Sequence, residues 1–172
     1  SIIFGLVGVI VFIPFVSVIS NTSGLSILAG AFTMSIMILP LIIKNTEDAI
    51  NAIPKSYKMN SLALGASETQ TTFKVILPNA ISGILTSTLL SIGRIIGESA
   101  ALIFVMGSAI QDDVNIFKGA TTLSVHIWTV LAAENPNYSL ACSISIIILL
   151  VVFLLNILVK IICKRLNRFE VK

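Results

Sequence analysis

Two ionisable residues four positions apart, Arg94 and Glu98, lie in GRIIGESAALIF (residues 93–104), inside a largely apolar stretch from Pro78 to Met106 with no other charged residue. A charge in the hydrocarbon of a bilayer is costly, at least ~2.5 kcal/mol for Arg on insertion scales, so both side chains must face protein or water. At i and i+4 on a helix they share one face and can pair with each other. A self-neutralising structural pair and a pair lining a transport path account for these residues equally at this point. Loss of function on removing one partner would not separate the two, because either change strands a buried charge. Gly93 and Gly97 add the G-x-x-x-G spacing that lets helices approach closely, a packing signal.

Other reactive side chains offer less. Cys142 and Cys163 fall in one apolar run, where a continuous helix holds them on the order of 30 Å apart, too far to bridge. His126 is the lone histidine, and a single imidazole cannot make a metal site. No Ser-His or paired-carboxylate constellation is evident, and G-x-x-x-x-G-K-[ST] is absent, so the chain is expected neither to catalyse a reaction nor to hydrolyse ATP itself. No metal or cofactor is expected. The sequons Asn21-Thr22-Ser23 and Asn137-Tyr138-Ser139 are patterns that arise easily by chance.

The elements that must hold Arg94 and Glu98 follow from composition. The 172 residues are 56% hydrophobic and 11% charged, against roughly a quarter charged in soluble domains. Their mean hydropathy is +1.03, so the chain reads as a membrane protein. Four stretches reach the ~20 apolar residues that cross hydrocarbon as a helix: about Ile2 to Ile19, Leu25 to Ile43, Ala80 to Met106 and Leu140 to Val159. Pro14 and Pro40 fall inside or near the ends of the first two, where kinks are tolerated if the freed carbonyls find partners. The run opening at Ser1 lacks the basic flank and cleavage site of a signal peptide, and is expected to be an internal segment of a longer chain. The fold class is all-α, a polytopic helix bundle.

Basic residues orient the bundle, because loops rich in Lys and Arg stay cytoplasmic. The segment 45–79 with its flank carries Lys44, Lys55, Lys58 and Lys74, and the tail carries Lys160, Lys164, Arg165, Arg168 and Lys172. The segment 108–138 carries only Lys118 against Asp112, Asp113 and Glu134. The 45–79 loop and the C-terminus are therefore expected on the cytoplasmic side and 108–138 outside. Topology accounts for the net charge of +3, and nucleic-acid binding has no place here. In the outer segment Val125, Ile127, Trp128 and Leu131 suit a membrane-interface stretch, with Trp128 and Tyr138 in the aromatic belt.

A connector of more than 30 residues is unusual unless functional or disordered, and the 45–79 loop is patterned. Ala49, Ile50, Ile53 and Tyr57 recur at helical spacing, and Pro54 can open a helix through Met59, Leu62 and Ala63. Gly65 is the turn residue, tolerant of a left-handed backbone. Ser67-Glu68-Thr69-Gln70 has capping-box form and starts a second short helix, expected to end before Leu77-Pro78. Two short helices joined at a glycine make either an interfacial pair resting on the bilayer or a lever for a soluble partner.

ALGASETQTTFKVILPNA resembles the cytoplasmic coupling loop of ABC-importer permeases, whose pattern is Glu-Ala-Ala, three residues, Gly, nine residues, Ile-x-Leu-Pro. Gly65 and Val75-Ile76-Leu77-Pro78 stand at matching spacing, with Val for Ile, while Met59-Asn60-Ser61 replaces the initial triplet and removes its charge. ILPLIIKNTEDAINAIPKSY, RIIGESAALIF and TLSVHIW resemble, in that order, segments of the phosphate-importer permeases of PstA type. The resemblance runs over nearly the whole sequence, and residues 1–6 resemble the start of that family's third membrane helix, which implies two helices before Ser1.

The resemblance implies one transmembrane permease domain over 1–172, four helices of a six-helix type I importer permease in a prokaryotic cytoplasmic membrane. It implies an ATP-binding subunit, a second permease subunit, an extracytoplasmic phosphate-binding protein, phosphate and the lipid bilayer as partners. Met59, Asn60, Ser61, Gly65, Leu77 and Pro78 would then couple to the ATPase. Arg94, Glu98 and Lys44 would line the substrate path, Arg94 because a guanidinium fork suits an oxyanion and Glu98 by holding Arg94 when the site is empty. Lys44 stands where the family carries a basic residue, although a snorkelling anchor explains it as well. Asp112, Asp113 and Glu134 would be rim contacts for the binding protein. A sulfate or molybdate permease and an ion-conducting channel are the alternatives, and a channel leaves the two short helices around Gly65 unexplained.

Overall fold

A computed structural model of the chain describes residues 1–20, 24–111 and 115–167. Asn21 to Ser23, Asp112, Asp113, Arg168 and Lys172 fall outside the described residues, and with them the first sequon, two of the proposed rim contacts and part of the basic tail. The described residues form helices and connecting loops: α1 Ile2–Ser20, α2 Ile27–Asn51, α3 Lys55–Ala63, α4 Glu68–Gly97, α5 Ala100–Val105, α6 Leu123–Ala132 and α7 Tyr138–Asn167. Four of them, α1, α2, α4 and α7, are long and apolar enough to cross a membrane. Each of the four expected spans therefore overlaps a helix of crossing length, the third of which runs Glu68–Gly97.

Boundaries differ in instructive ways. The helix expected to stop near Ile43 continues as α2 through Asn51, because Lys44 pairs with Asp48 and Glu47 one turn on and supports the polar extension. The short helix expected to end before Leu77 instead runs into the next span, with residues Thr72–Ile76 wound as a π-turn. That turn removes the conflict that Pro78 would otherwise create with the carbonyl four residues back. Leu77 N–H reaches Thr72 C=O, and the Asn79 amide donates to Val75 C=O at 2.7 Å. α1 uses the same device: its π-turn Gly8–Phe12 also ends two residues before a proline, Pro14.

The chain packs as two compact units. The first comprises Ser1–Leu39 and Gly93–Val152. Its core joins Met34 and Met37 of α2 to Leu102, Met106 and Val125, and Val16 and Ala29 to Val105. α1 crosses the core at Gly8, where an added Cβ would enter the space of Thr33 Oγ1 and the Val105 side chain; only glycine permits that approach. The freed N–H groups at the start of α2 do not face solvent. Ser26, Ile27 and Leu28 donate to the carbonyls of Val105, Lys118 and Ile116 at 3.0–3.1 Å, so these three carbonyls close that helix end.

α6 is more deeply engaged than an interfacial segment. Val125 is fully buried in the core, although Trp128 remains 55% exposed. A one-turn anchor thus holds α6 in place.

The second unit comprises Pro40–Ile92 and the helical residues from Phe153 onward. Here α3 and the start of α4 pack as a pair, and the Cys163 thiol lies 3.9 Å from the Ser82 carbonyl. Cys142 and Cys163 are both free.

Candidate functional site

In the first unit the geometry centres on a break in the helix. α4 ends at Gly97, where Glu98 N–H donates to Ile95 C=O at 3.1 Å, a tight closing turn. Glu98 and Ser99 are non-helical, and α5 restarts at Ala100. The Glu98 Oε1 atom accepts from Ala101 N–H at 3.2 Å, so the carboxylate caps the new helix, where a negative charge is favoured. The Glu98 carbonyl accepts from the Ser124 hydroxyl of α6 at 2.7 Å.

Two expectations change here. The span read as continuous from Ala80 to Met106 is interrupted, and Arg94 and Glu98 are not paired. The i, i+4 register requires an unbroken turn, and this turn ends at Gly97. Arg94 is exposed, and its guanidinium has no ion-pair partner among the described residues. The G-x-x-x-G pair seats no close neighbour: a Cβ added at Gly93 would meet Val152 Cγ1 only at 4.0 Å, and one added at Gly97 would meet nothing within 4 Å.

A cavity of about 70 Å³ beside the break is lined by Ser99, Ala100, Ile103, Val125 and Trp128. Its lining residues include no charged side chain. His126 N–H continues the first turn of α6, its Nδ1 lies 3.5 Å from Thr129 Oγ1, and no metal-binding cluster occurs among the described residues.

In the second unit the knob is built from local sequence signals. α3 ends in a Schellman arrangement: Gly65 N–H donates to Leu62 C=O at 3.0 Å and Ala66 N–H to Ser61 C=O at 3.2 Å. Gly65 takes φ +86°, the left-handed conformation this motif requires. Ser67 and Gln70 then form the full capping box, with bonds of 3.1 and 3.2 Å.

Two long-range contacts tie the helices together. Ser61 Oγ and Thr71 Oγ1 share a 2.9 Å hydrogen bond, and Lys58 Nζ approaches Glu68 Oε1 at 3.5 Å. Leu64 at the turn is 89% and Met59 is 68% exposed. Ser56, Tyr57, Asn60, Ser61, Leu64 and Val75 line an open groove of about 310 Å³. Asn60 and Ser61 therefore share one groove, Met59 stands exposed, and Leu77 and Pro78 follow the π-turn.

Lys44 belongs to this second unit. Its ammonium lies 3.0 Å from Asp48 Oδ1 and 3.4 Å from Glu47 Oε2, all three side chains being more than half exposed. Sequence reasoning overlooked these two carboxylates, although their i+3 and i+4 spacing announces the pairing. It also passed over Thr71, Thr122 and Ser124, whose hydroxyls are placed by tertiary contacts. TLSVHIW carried resemblance alone, with no sign that its serine reaches Glu98.

Four helices long and apolar enough to cross a membrane define a multi-pass membrane component. Over residues 1–169 the sequence matches the binding-protein-dependent transport system inner membrane component family, and the chain belongs to that family. It is 37% identical over 143 residues to the probable ABC transporter permease protein YqgI of Bacillus subtilis, covering 76% of this chain and 47% of that protein. It is 31% identical over 153 residues to the phosphate transport system permease protein PstA of Haemophilus influenzae, covering 88% and 53%. Against the PstA homolog of Mycoplasma genitalium it is 31% identical over 138 residues, covering 80% and 21%. The chain thus spans about half the length of the first two relatives and a fifth of the third. No solved structure matches it.

Proposed function

We propose that the chain is a permease subunit of an ATP-driven, binding-protein-dependent importer that moves inorganic phosphate inward across the cytoplasmic membrane by alternating access. The observation that carries the reading is the Arg94 guanidinium, exposed at the end of a spanning helix without an anionic partner among the described residues. A permanent cation in that setting needs protein, water or an anion around it. Its planar fork of donors matches an oxyanion such as phosphate. Relatives named as phosphate transport permeases support that choice of anion.

Glu98 acts in this reading by capping α5 and fixing the break that follows Arg94. Lys44, engaged by Asp48 and Glu47, anchors the end of its span. The α3–α4 knob docks into a separate ATP-binding subunit, with Met59, Asn60, Ser61 and Gly65 at the contact and Leu77 and Pro78 passing its motion into α4. A second permease subunit completes the path, and an extracytoplasmic phosphate-binding protein delivers the anion to the side of the 108–138 segment.

The test is radiolabelled uptake by the assembled full-length complex in proteoliposomes, with phosphate, sulfate and molybdate compared and ATP supplied inside. ATP-dependent phosphate uptake is expected. ATP-independent uptake would remove the importer reading, and a preference for sulfate or molybdate would replace the anion.

A further inference from the structure

The Ser124–Glu98 bond belongs to a directional chain. Ser124 Oγ donates its one proton to the Glu98 carbonyl at 2.7 Å, so in the 3.0 Å contact between the Thr122 and Ser124 hydroxyls it is Thr122 that donates. Thr122 Oγ1 in turn accepts from Val125 N–H at 3.3 Å. The polarity of the whole relay is set: Val125 N–H to Thr122, Thr122 to Ser124, Ser124 to Glu98. Such chains strengthen each member, and Ser124 is only 9% exposed. The far end is fixed too, since Val125 is fully buried against Met34, Met37, Leu102 and Met106.

The relay joins the first turn of α6 to the two non-helical residues between α4 and α5. The Glu98 carbonyl is one of those that a terminating helix leaves without an intrahelical donor, and here the donor comes from 26 residues away in sequence. The bond ties α6 to the backbone four residues beyond Arg94.

We propose that Ser124 is a positioning residue: its hydroxyl couples displacement of α6, caused by docking of the binding protein, to the break at Glu98 and so to the orientation of Arg94. The proposal rests on the importer reading above. It adds a mechanical route from the outer segment to the anion-facing guanidinium, which an isolated Arg94 lacks.

The experiment uses the full-length assembled complex in proteoliposomes and measures ATP hydrolysis without binding protein and with binding protein presented with phosphate, sulfate or molybdate in parallel. The readout is the ratio of stimulated to basal rate, which a loss of folded complex alone does not move. Ser124→Ala should lower the ratio about five- to tenfold, in keeping with loss of one hydrogen bond, with the basal rate unchanged. Ser124→Thr, which keeps the hydroxyl, should restore most of it. Thr122→Val removes the upstream donor but leaves Ser124 in place, should lower the ratio about twofold, and decides the matter if Ser124→Ala does not assemble.

A wild-type ratio in Ser124→Ala, or in Thr122→Val where that variant decides, overturns the proposal; so does an equal fall of basal and stimulated rates. Stimulation by sulfate or molybdate in place of phosphate would count against the phosphate reading while leaving the Ser124 comparison intact. Normal ratios in the Ser124 variants beside phosphate uptake by the wild type would sink the relay and spare the reading.

Discussion

The hydroxyls of Ser61 and Thr71 meet at 2.9 Å, and this bond makes one body of two helices that turn about Gly65. Thr71 is fully buried, so its hydroxyl has no water to replace a lost partner. Ser61 also lines the groove of the knob, which places the bond behind the surface that the proposed function assigns to an ATP-binding subunit. In the proposed coupling, a load applied to α3 would pass to α4 through Thr71 and the π-turn that follows it.

Ser61→Ala should therefore loosen the knob by about 1 kcal/mol without affecting the spans. In the reconstituted complex, the number of anions moved per ATP should fall several-fold while the amount of assembled complex stays constant. Wild-type stoichiometry would show that the bond does not transmit force. The neighbouring Lys58–Glu68 contact is exposed on both sides, so Lys58→Ala serves as a near-neutral control, worth ~0–1 kcal/mol.

Much of this knob was legible because its determinants are local. A serine three residues before a glutamine fixes the capping box, and a glycine at the end of an apolar periodicity fixes the Schellman turn. The break at Glu98 was not legible. Gly97, Glu98 and Ser99 lie in a run whose only charged residues are Arg94 and Glu98, and what stabilises the interruption is a hydroxyl 26 residues onward. A periodicity argument extends the helix through them and pairs Arg94 with Glu98. For the same reason the burial of Val125 escaped notice: an interfacial helix and an anchored one have the same composition, and only the packing of Met34, Leu102 and Met106 around one valine tells them apart.

The capping role of Glu98 predicts a difference between two substitutions. Glu98→Gln retains an oxygen that can accept from Ala101 N–H, and should keep phosphate uptake within about twofold of wild type, because the cap survives with its charge interaction reduced. Glu98→Ala leaves that donor unpartnered at a cost of ~1 kcal/mol or more and should reduce uptake much further. Equal, severe losses in both variants would assign Glu98 a role that needs its charge.

Gly8 predicts a stability effect remote from the site. A side chain there must displace Thr33 and Val105, and overpacking of this kind costs about 1–3 kcal/mol. Gly8→Val should lower the melting temperature of the detergent-solubilised complex and the yield of assembled protein, with phosphate affinity unchanged in the fraction that assembles. An unaltered melting temperature would mean that α1 does not pack on Thr33 and Val105 as closely as described.

The central claim is that Arg94 receives the anion, and the most direct measurement is the phosphate concentration at half-maximal ATP-dependent uptake in assembled wild-type, Arg94→Lys and Arg94→Gln complexes. Lys keeps the charge without the planar fork, and Gln keeps neither. A charge-assisted hydrogen bond is worth ~1.5–3 kcal/mol, so Arg94→Lys should raise that concentration roughly tenfold or more, and Arg94→Gln should abolish measurable uptake. Wild-type rate and half-saturation in Arg94→Lys and Arg94→Gln alike would contradict the account and leave Arg94 a structural cation.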